Sequence, residues 1–236
     1  MPTTPIARAT PARLLCAAAA VVLAAGALLA PAHATGVFAT AESGYQELRL
    51  RTFEAGTEDD LTVGFVPSRS AGPTLAAGLG LRLGVFTLGL RGGVASFEDR
   101  SVERSVGDYH LWSLSLEGGT HVRLGPIEPY LLLGGGYSTF GGLDDAVEGL
   151  GAGLDIDGVH ARGGVGVDLH LASWLTLGAR GTGDLLFLGR RGMPVRDLAG
   201  PQEVDTIGET KTRLLEGDGA SIGAAWSLTG VLAIQL

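Results

Sequence analysis

The chain has 236 residues, a formal net charge of −8 and 39 glycines. The acidic balance argues against nucleic-acid binding, which requires a basic surface. The glycines follow no G-x-y period, which excludes collagen, and a hydrophobic content of 45% argues against disorder.

Residues 1–34 have the layout of a secretory signal peptide. Arg8 and Arg13 form a basic start, an apolar stretch follows, and residues 32–34 (Ala-His-Ala) form a cleavage motif. We therefore expect a mature domain of residues 35–236, whose charge is −10 because the leader removes two arginines and no acid from the total of −8. A retained transmembrane anchor is the alternative, but the apolar run is short for a span.

The only cysteine, Cys16, lies in this leader, so the mature domain is expected to have no disulfide and no sulfur ligand. His160 and His170 share a strand face, but at about 3.3 Å per residue they lie about 33 Å apart, too far to bind one metal ion. The sequence therefore predicts no metal site and no cofactor.

The mature domain alternates between apolar and polar residues. From 159 to 171 the odd positions, such as Val165, are apolar or small, and the even positions, such as Arg162 and Asp168, carry every charge. A period of two over this length predicts a long β-strand with different surroundings on its two faces. We predict eight such strands, at 44–53, 73–83, 85–97, 109–124, 127–140, 159–171, 174–187 and 221–236. The fifth strand begins with apolar residues at both odd and even positions, so the sequence does not show which of its two faces points into the barrel.

Short and long connections alternate between these strands. Tight turns are predicted at Gly84, around Gly125 and around Ala172, and the long polar links are 54–70, 98–108, 141–157 and 189–219. This layout is typical of outer-membrane barrels, in which short periplasmic turns alternate with longer outside loops. We therefore predict an all-β fold, an eight-stranded antiparallel up-and-down barrel that spans the outer membrane. A soluble periplasmic barrel of the lipocalin type, with its apolar face inward, is the alternative.

Two segments resemble a known family. The run 129–137 (Pro-Tyr-Leu-Leu-Leu-Gly-Gly-Gly-Tyr) is similar to the fifth-strand signature of small outer-membrane barrels. The run 226–236 resembles the carboxy-terminal signal that such proteins present to their insertion machinery, although it ends in Leu236 rather than an aromatic residue. The chain thus resembles the OmpA/OmpX-type barrels over nearly its whole mature length. The resemblance implies a monomer in the outer membrane of a Gram-negative cell.

The polar residues at alternate positions of each strand are expected to face the barrel interior, where buried charges must pair. If a three-residue turn joins strands six and seven, Arg162 faces Asp184, and we predict that they contact each other. Because side chains fill an eight-stranded barrel, no open pore is expected; a proton path or narrow conductance is the alternative. The predicted interior polar network is Glu47, Arg49, Arg51, Arg82, Arg91, Glu117, His121, Arg123, Arg162, Asp168, Arg180 and Asp184, with His160 and His170 on the same parity.

Catalysis has little support in the sequence. The only local grouping of a histidine, a serine and an acid is His110, Ser113 and Asp108, the minimum for nucleophilic chemistry on lipid. We expect no enzyme, and a lipid-modifying enzyme of the outer membrane remains the alternative.

The long loops carry acidic clusters at Glu58, Asp59, Asp60, Asp144, Asp145, Asp155 and Asp157. These carboxylates are expected to keep the loops solvated; the alternative is that they bind Ca²⁺ or bridge to lipopolysaccharide through divalent ions. The sequence thus predicts a structural or surface-interaction role through the loops, with outer-membrane lipid, lipopolysaccharide and an unknown extracellular partner as the expected contacts.

Overall fold

The computed structural model describes residues 36–50, 69–98, 108–142, 155–191 and 219–235. The predicted leader, Arg51 and the acidic residues at 58–60 and 144–145 lie outside this part of the chain. No helix of the described residues is long and apolar enough to span a membrane.

The described residues form a closed antiparallel barrel in which each strand pairs with the next and β8 pairs with β1. The shortest strand has 13 residues and the longest 17, well above the five or six residues of an ordinary strand. The predicted eight-stranded up-and-down fold is confirmed. The strands are β1 (Gly36–Leu50), β2 (Arg69–Leu83), β3 (Phe86–Glu98), β4 (Asp108–His121), β5 (Ile127–Gly141), β6 (Ile156–His170), β7 (Leu175–Arg190) and β8 (Gly219–Gln235).

Short and long links alternate as predicted. Residues 84–85, 122–126 and 171–174 join strands at one end of the barrel, here called the turn end. Two of these turns place a glycine at positive φ, Gly84 at 65° and Gly125 at 67°, a conformation that side chains with a Cβ rarely adopt. The links 51–68, 99–107, 142–155 and 191–218 leave from the opposite end, here called the loop end.

Most of the large apolar side chains point away from the barrel axis. Val165 is 58% exposed and Leu228 is 62% exposed, whereas Arg162, on the other face of β6, is only 6% exposed. In water such a continuous apolar surface would far exceed the few hundred Å² that soluble monomers show. The orientation predicted from the alternation is therefore confirmed.

The facing predicted for the first strand is wrong at its loop end. Leu48 and Leu50 point inward and are buried, while Glu47 and Arg49 point outward. Arg49 is exposed, whereas Glu47 is only 7% exposed and is ion-paired with Arg49. Here β1 nears the loops, where outward charges meet water or head groups rather than acyl chains. The same strand begins at Gly36, eight residues before the prediction.

The fourth strand ends at His121, three residues earlier than predicted. Arg123 therefore lies in the β4–β5 turn, where its exposed side chain donates a hydrogen bond to the Gly125 carbonyl at 3.4 Å. The backbone beside it is still paired, since Leu124 N–H donates to the Ile127 carbonyl at 2.8 Å. The Arg123 side chain is nevertheless exposed and does not belong to the interior network.

The structure also defines the facing of β5. Glu128, Tyr130 and Leu132 point inward and are buried, and Leu131 and Leu133 point outward with exposures of 63% and 75%. The interior parity of β5 therefore mixes an acid, an aromatic ring and an aliphatic side chain, which explains why the sequence did not reveal it.

Candidate functional site: the polar interior

A network of charged side chains crosses the middle of the barrel. Its members are three arginines and three acids, so their formal charges cancel. They come from five strands: Glu42 of β1, Arg91 of β3, Glu117 of β4, Arg162 of β6, and Arg180 and Asp184 of β7.

Arg162 pairs with two acids. It donates to Asp184 at 2.6 and 3.1 Å in a bidentate arrangement, and to Glu117 at 3.1 Å. Arg162 and Asp184 lie directly opposite each other across the β6–β7 ladder. The contact predicted from the length of the turn is present.

Glu42 is the acid that holds the other two arginines. Its carboxylate accepts from Arg91 at 3.0 Å and from Arg180 at 2.8 Å, and it is only 3% exposed. Arg180 also donates to Tyr130 Oη at 3.1 Å and to Glu117 at 3.3 Å. Each guanidinium therefore joins acids on different strands, which fixes the register of the barrel from inside.

A buried histidine lies next to this network. His160 Nε2 is 2.9 Å from Ser115 Oγ and His160 Nδ1 is 2.8 Å from Ser138 Oγ. Both hydroxyls are about 1% exposed. A serine and a histidine in contact are two parts of a nucleophilic triad, but here no substrate can reach them, so the contact serves packing.

A second polar cluster lies at the turn end and is here called the turn-end cluster: Arg82, His121, Glu128, Asp168 and His170. Glu128, with no exposed surface, is at its centre. Arg82 Nη1 and His121 Nδ1 approach its Oε1 at 2.8 and 2.9 Å, and His170 Nε2 lies 3.0 Å from its Oε2.

The loop-end half of the interior is mainly apolar, although Arg190 of β7 is buried there. Phe97, Tyr109 and Phe140 form an aromatic group, with ring centroids 5.3 Å apart for the first pair and 6.0 Å for the second. Leu48 and Leu186, respectively 0% and 1% exposed, belong to the same half. The Tyr109 hydroxyl contacts the Ser70 hydroxyl. These side chains close the described barrel toward the loops.

Between the central network and the turn end lies a cavity of about 70 Å³. Its lining includes Arg82, His121, Asp168 and Arg180. The volume and the charged side chains in the wall suit a few water molecules or one hydrated ion.

The structure places the predicted interior residues in three groups. The central network contains Arg91, Glu117, Arg162, Arg180 and Asp184, and the turn-end cluster contains Arg82, His121 and Asp168. Glu47 and Arg49 lie outside the barrel, and Arg123 lies in a turn. Of the predicted loop acids within the described chain, Asp155 is exposed and Asp157 accepts a 2.5 Å hydrogen bond from Tyr137.

Glu42 and Glu128 are interior residues that were not predicted from the sequence. Glu42 follows a stretch whose alternating residues are Ala39 and Ala41, which are too small to mark a lipid-facing side. Glu128 stands between Ile127 and Pro129 at the start of the strand of undetermined facing. An acid flanked by two apolar residues was the available signal there.

The structure does not bring the side chains of His110, Ser113 and Asp108 together. Ser113 points inward and contributes to the wall of an interior pocket beside Arg162, whereas His110 points outward and its Nδ1 lies 3.1 Å from Ser96 Oγ. Residues an odd number of positions apart on one strand face opposite sides. This predicted alternative catalytic site is wrong.

On the outer surface near the loop end, one acid lies between two arginines. Glu47 is 2.8 Å from Arg49 Nε and 2.9 Å from Arg69 Nε, and both arginine side chains are more than 60% exposed. Glu47 also lies opposite the exposed Trp226 across the β1–β8 ladder. This outer patch carries one net positive charge at the edge of the apolar belt.

No protein-family model matches the sequence, and no curated relative does. Among the solved structures with a similar fold are two outer-membrane barrels. Neisserial surface protein A (NspA) has a TM-score of 0.51 at 9% identity, over 85% of this chain and 97% of that one. OprG, an outer membrane protein of Pseudomonas aeruginosa, has a TM-score of 0.52 at 11% identity, over 86% of this chain and 97% of that one. The chain thus has the fold of small eight-stranded outer-membrane barrels.

Proposed function

We propose that this protein is an outer-membrane β-barrel with a structural or surface-interaction role through its long loops. The proposal rests on one observation: most of the large apolar side chains point outward around the barrel, and the charged side chains of the central network lie inside. Hydrocarbon offers the backbone no hydrogen-bond partners, and a closed barrel satisfies every strand internally. A lipocalin-type barrel would place these apolar side chains at its centre.

Cell fractionation tests the location. We expect the protein in the outer-membrane fraction, with a mature N-terminus at Thr35 after removal of residues 1–34. Folded protein is expected to migrate differently on a detergent gel before and after boiling, as many outer-membrane barrels do. Recovery in the soluble periplasmic fraction would refute the proposal.

The interior supports a barrel that does not conduct. The central network spans the barrel and the apolar loop-end half closes it, with Phe97 and Tyr109 fully buried. We expect purified protein to give no channel events in planar bilayers. Regular unitary conductance would instead favour the narrow-conductance alternative.

We also propose that the protein is not an enzyme. In the described chain the Ser115–His160 contact is sealed inside the barrel, and His110 and Ser113 lie on opposite faces. Replacing His110 by glutamine is expected to leave the lipid composition of the membrane unchanged. A changed acylation pattern would restore the enzymatic alternative.

The outer patch suggests how the barrel contacts lipid. Phosphate groups of lipopolysaccharide lie at the level where an outer-membrane barrel emerges from the apolar belt, and each arginine near an anionic surface contributes about 1 kcal/mol. We propose that Arg49 and Arg69 contact these phosphates. Replacing both by alanine should reduce co-purifying lipopolysaccharide several-fold, and Arg123→Ala at the turn end is the matched control. Equal amounts in the two variants would contradict the contact.

We propose further contacts for the last strand and for the loops. The last strand, β8, closes the barrel against β1 and is the segment that we propose the insertion machinery recognises. The loops are proposed to meet an extracellular partner and, through the acids at 58–60, 144–145, 155 and 157, divalent cations.

A further inference from the structure

Three side chains at the turn end bring metal-ligand atoms together. One nitrogen of His121, one carboxylate oxygen of Glu128 and one of Asp168 all lie within 4.8 Å of one another. They come from three consecutive strands, β4, β5 and β6, whose ladders hold the backbone in place. A tetrahedral zinc ion with bonds of about 2.1 Å holds its ligand atoms about 3.4 Å apart, a distance these flexible side chains reach by small rotations.

Each of these side chains has a buried polar atom that makes no hydrogen bond. The atoms are His121 Nδ1, Glu128 Oε1 and Asp168 Oδ1. His121 Nδ1 and Glu128 Oε1 are only 2.9 Å apart, but they are not aligned for a hydrogen bond. Glu128 Oε1 also has Arg82 Nη1 at 2.8 Å, so Asp168 Oδ1 is the carboxylate oxygen of the three that has neither a hydrogen bond nor an ion pair among the described residues. A bound cation is one of the ordinary explanations of such a buried atom.

The surroundings of His121 favour a ligating nitrogen. Its Nε2 lies 3.1 Å from Thr87 Oγ1, and its ring stacks on Tyr130 with a centroid distance of 4.9 Å. If Nε2–H donates to the Thr87 hydroxyl, Nδ1 carries the free lone pair and points toward the two carboxylates. A hydrogen bond on the far nitrogen is the usual way in which a metal-binding histidine is oriented.

There is room for an ion next to these ligand atoms. The cavity of about 70 Å³ between the central network and the turn end has His121 and Asp168 in its lining. Glu128 has no exposed surface, so an ion bound by the three side chains would be held away from bulk solvent.

We propose that His121, Glu128 and Asp168 form a binding site for a divalent transition-metal ion, with one imidazole and two carboxylates as ligands. This donor set suits zinc, and Zn²⁺ is the probe for the test. Arg82 is the internal competitor, since its Nη1 lies 2.8 Å from the Glu128 oxygen. The site was not expected from the sequence, because Glu128 was missed and the histidines were considered only in pairs along one strand.

The experiment measures Zn²⁺ binding to the purified, folded barrel in detergent by equilibrium dialysis and calorimetry. We expect one site that weakens at least 10-fold in Asp168→Asn and in His121→Gln. Thr87→Val, which removes only the orienting hydroxyl, should weaken binding by about 10-fold. Arg82→Gln should strengthen it, because the competitor is gone and the cluster gains negative charge.

Matched controls separate this site from zinc binding elsewhere. His110→Gln and Asp155→Asn remove an outward histidine and an exposed acid near the loop end, and both should bind zinc as the original protein does. The heat-dependent gel shift verifies that each variant is folded. The visible spectrum of bound Co²⁺ should change in His121→Gln and not in His110→Gln. If the folded original protein binds no zinc at millimolar concentration, or if Asp168→Asn binds it unchanged, the proposal is overturned.

Discussion

The loop-end half of the barrel interior is lined mainly by apolar side chains such as Phe97 and Leu186. The other half, from the central network to the turn end, holds ion pairs such as Arg162–Asp184 and Arg82–Glu128. Both halves belong to the same strands and the same inward parity. The comparison shows that alternation decides which side chains enter the barrel, and that the chemistry of the interior changes along its axis. One half is packed like the core of a soluble protein, and the other depends on paired charges.

The two halves are therefore expected to respond differently to substitution. Apolar packing loses stability in proportion to the volume removed. A charge network loses most when one member is removed and its partners stay buried without compensation. Single and paired substitutions distinguish these two behaviours.

The largest effect is expected for Arg162→Ala. The change leaves Asp184 without its guanidinium partner and leaves Glu117 with Arg180, and we expect the free energy of unfolding to fall by about 3–5 kcal/mol. Urea unfolding of the barrel in lipid vesicles, followed by tryptophan fluorescence, measures the loss. The paired variant Arg162→Met with Asp184→Leu should recover most of it, since both charges are then gone. A loss below about 1 kcal/mol in the single variant would show that the network is solvated.

Leu186→Ala tests the apolar half and should cost about 3 kcal/mol, because its side chain is 1% exposed and leaves a cavity. Leu185→Ala is the matched control on the same strand. Leu185 points outward and is 46% exposed, so lipid chains fill the space that it leaves. If both substitutions cost the same, the loop-end half is not packed as a core.

Much of the barrel could be predicted because one property repeats in every strand. Val165 and Leu228 lie on the lipid-facing side for the same reason as Leu177, and the alternation of link lengths gives the order of turns and loops. The Arg162–Asp184 contact followed from the length of a single turn. Such features depend on local periodicity, which the sequence contains directly.

The features that were not predicted depend on how far along the barrel axis a residue lies, and the period of two does not give that position. Leu48 and Glu47 exchange faces relative to the prediction because β1 leaves the apolar belt at that point. Glu42 and Glu128 meet their partners from strands far apart in sequence, so no short pattern identifies them. The turn-end cluster is visible only when β4, β5 and β6 are placed side by side.

Ser115→Ala tests the buried histidine between the two halves. Removing the hydroxyl leaves His160 Nε2 without its partner at 2.9 Å, and we expect a loss of about 1–2 kcal/mol. Ser138→Ala should cost a similar amount through Nδ1. Because both act on one ring, the double variant should cost measurably more or less than the sum of the two single ones. Strict additivity would indicate that each serine acts independently of the histidine.

The smallest effect is expected for Arg123→Ala. The sequence predicted this arginine in the same interior network as Arg162, so the two variants compare an exposed arginine with a buried one. Its only hydrogen bond among the described residues goes to the Gly125 carbonyl at 3.4 Å, and its side chain is exposed. A surface substitution of this kind changes stability by less than about 0.5 kcal/mol. The same urea titration measures both variants. A loss for Arg123→Ala that approached the loss for Arg162→Ala would mean that the interior charges extend into the turns, and that the division between a paired interior and a solvated turn is misplaced.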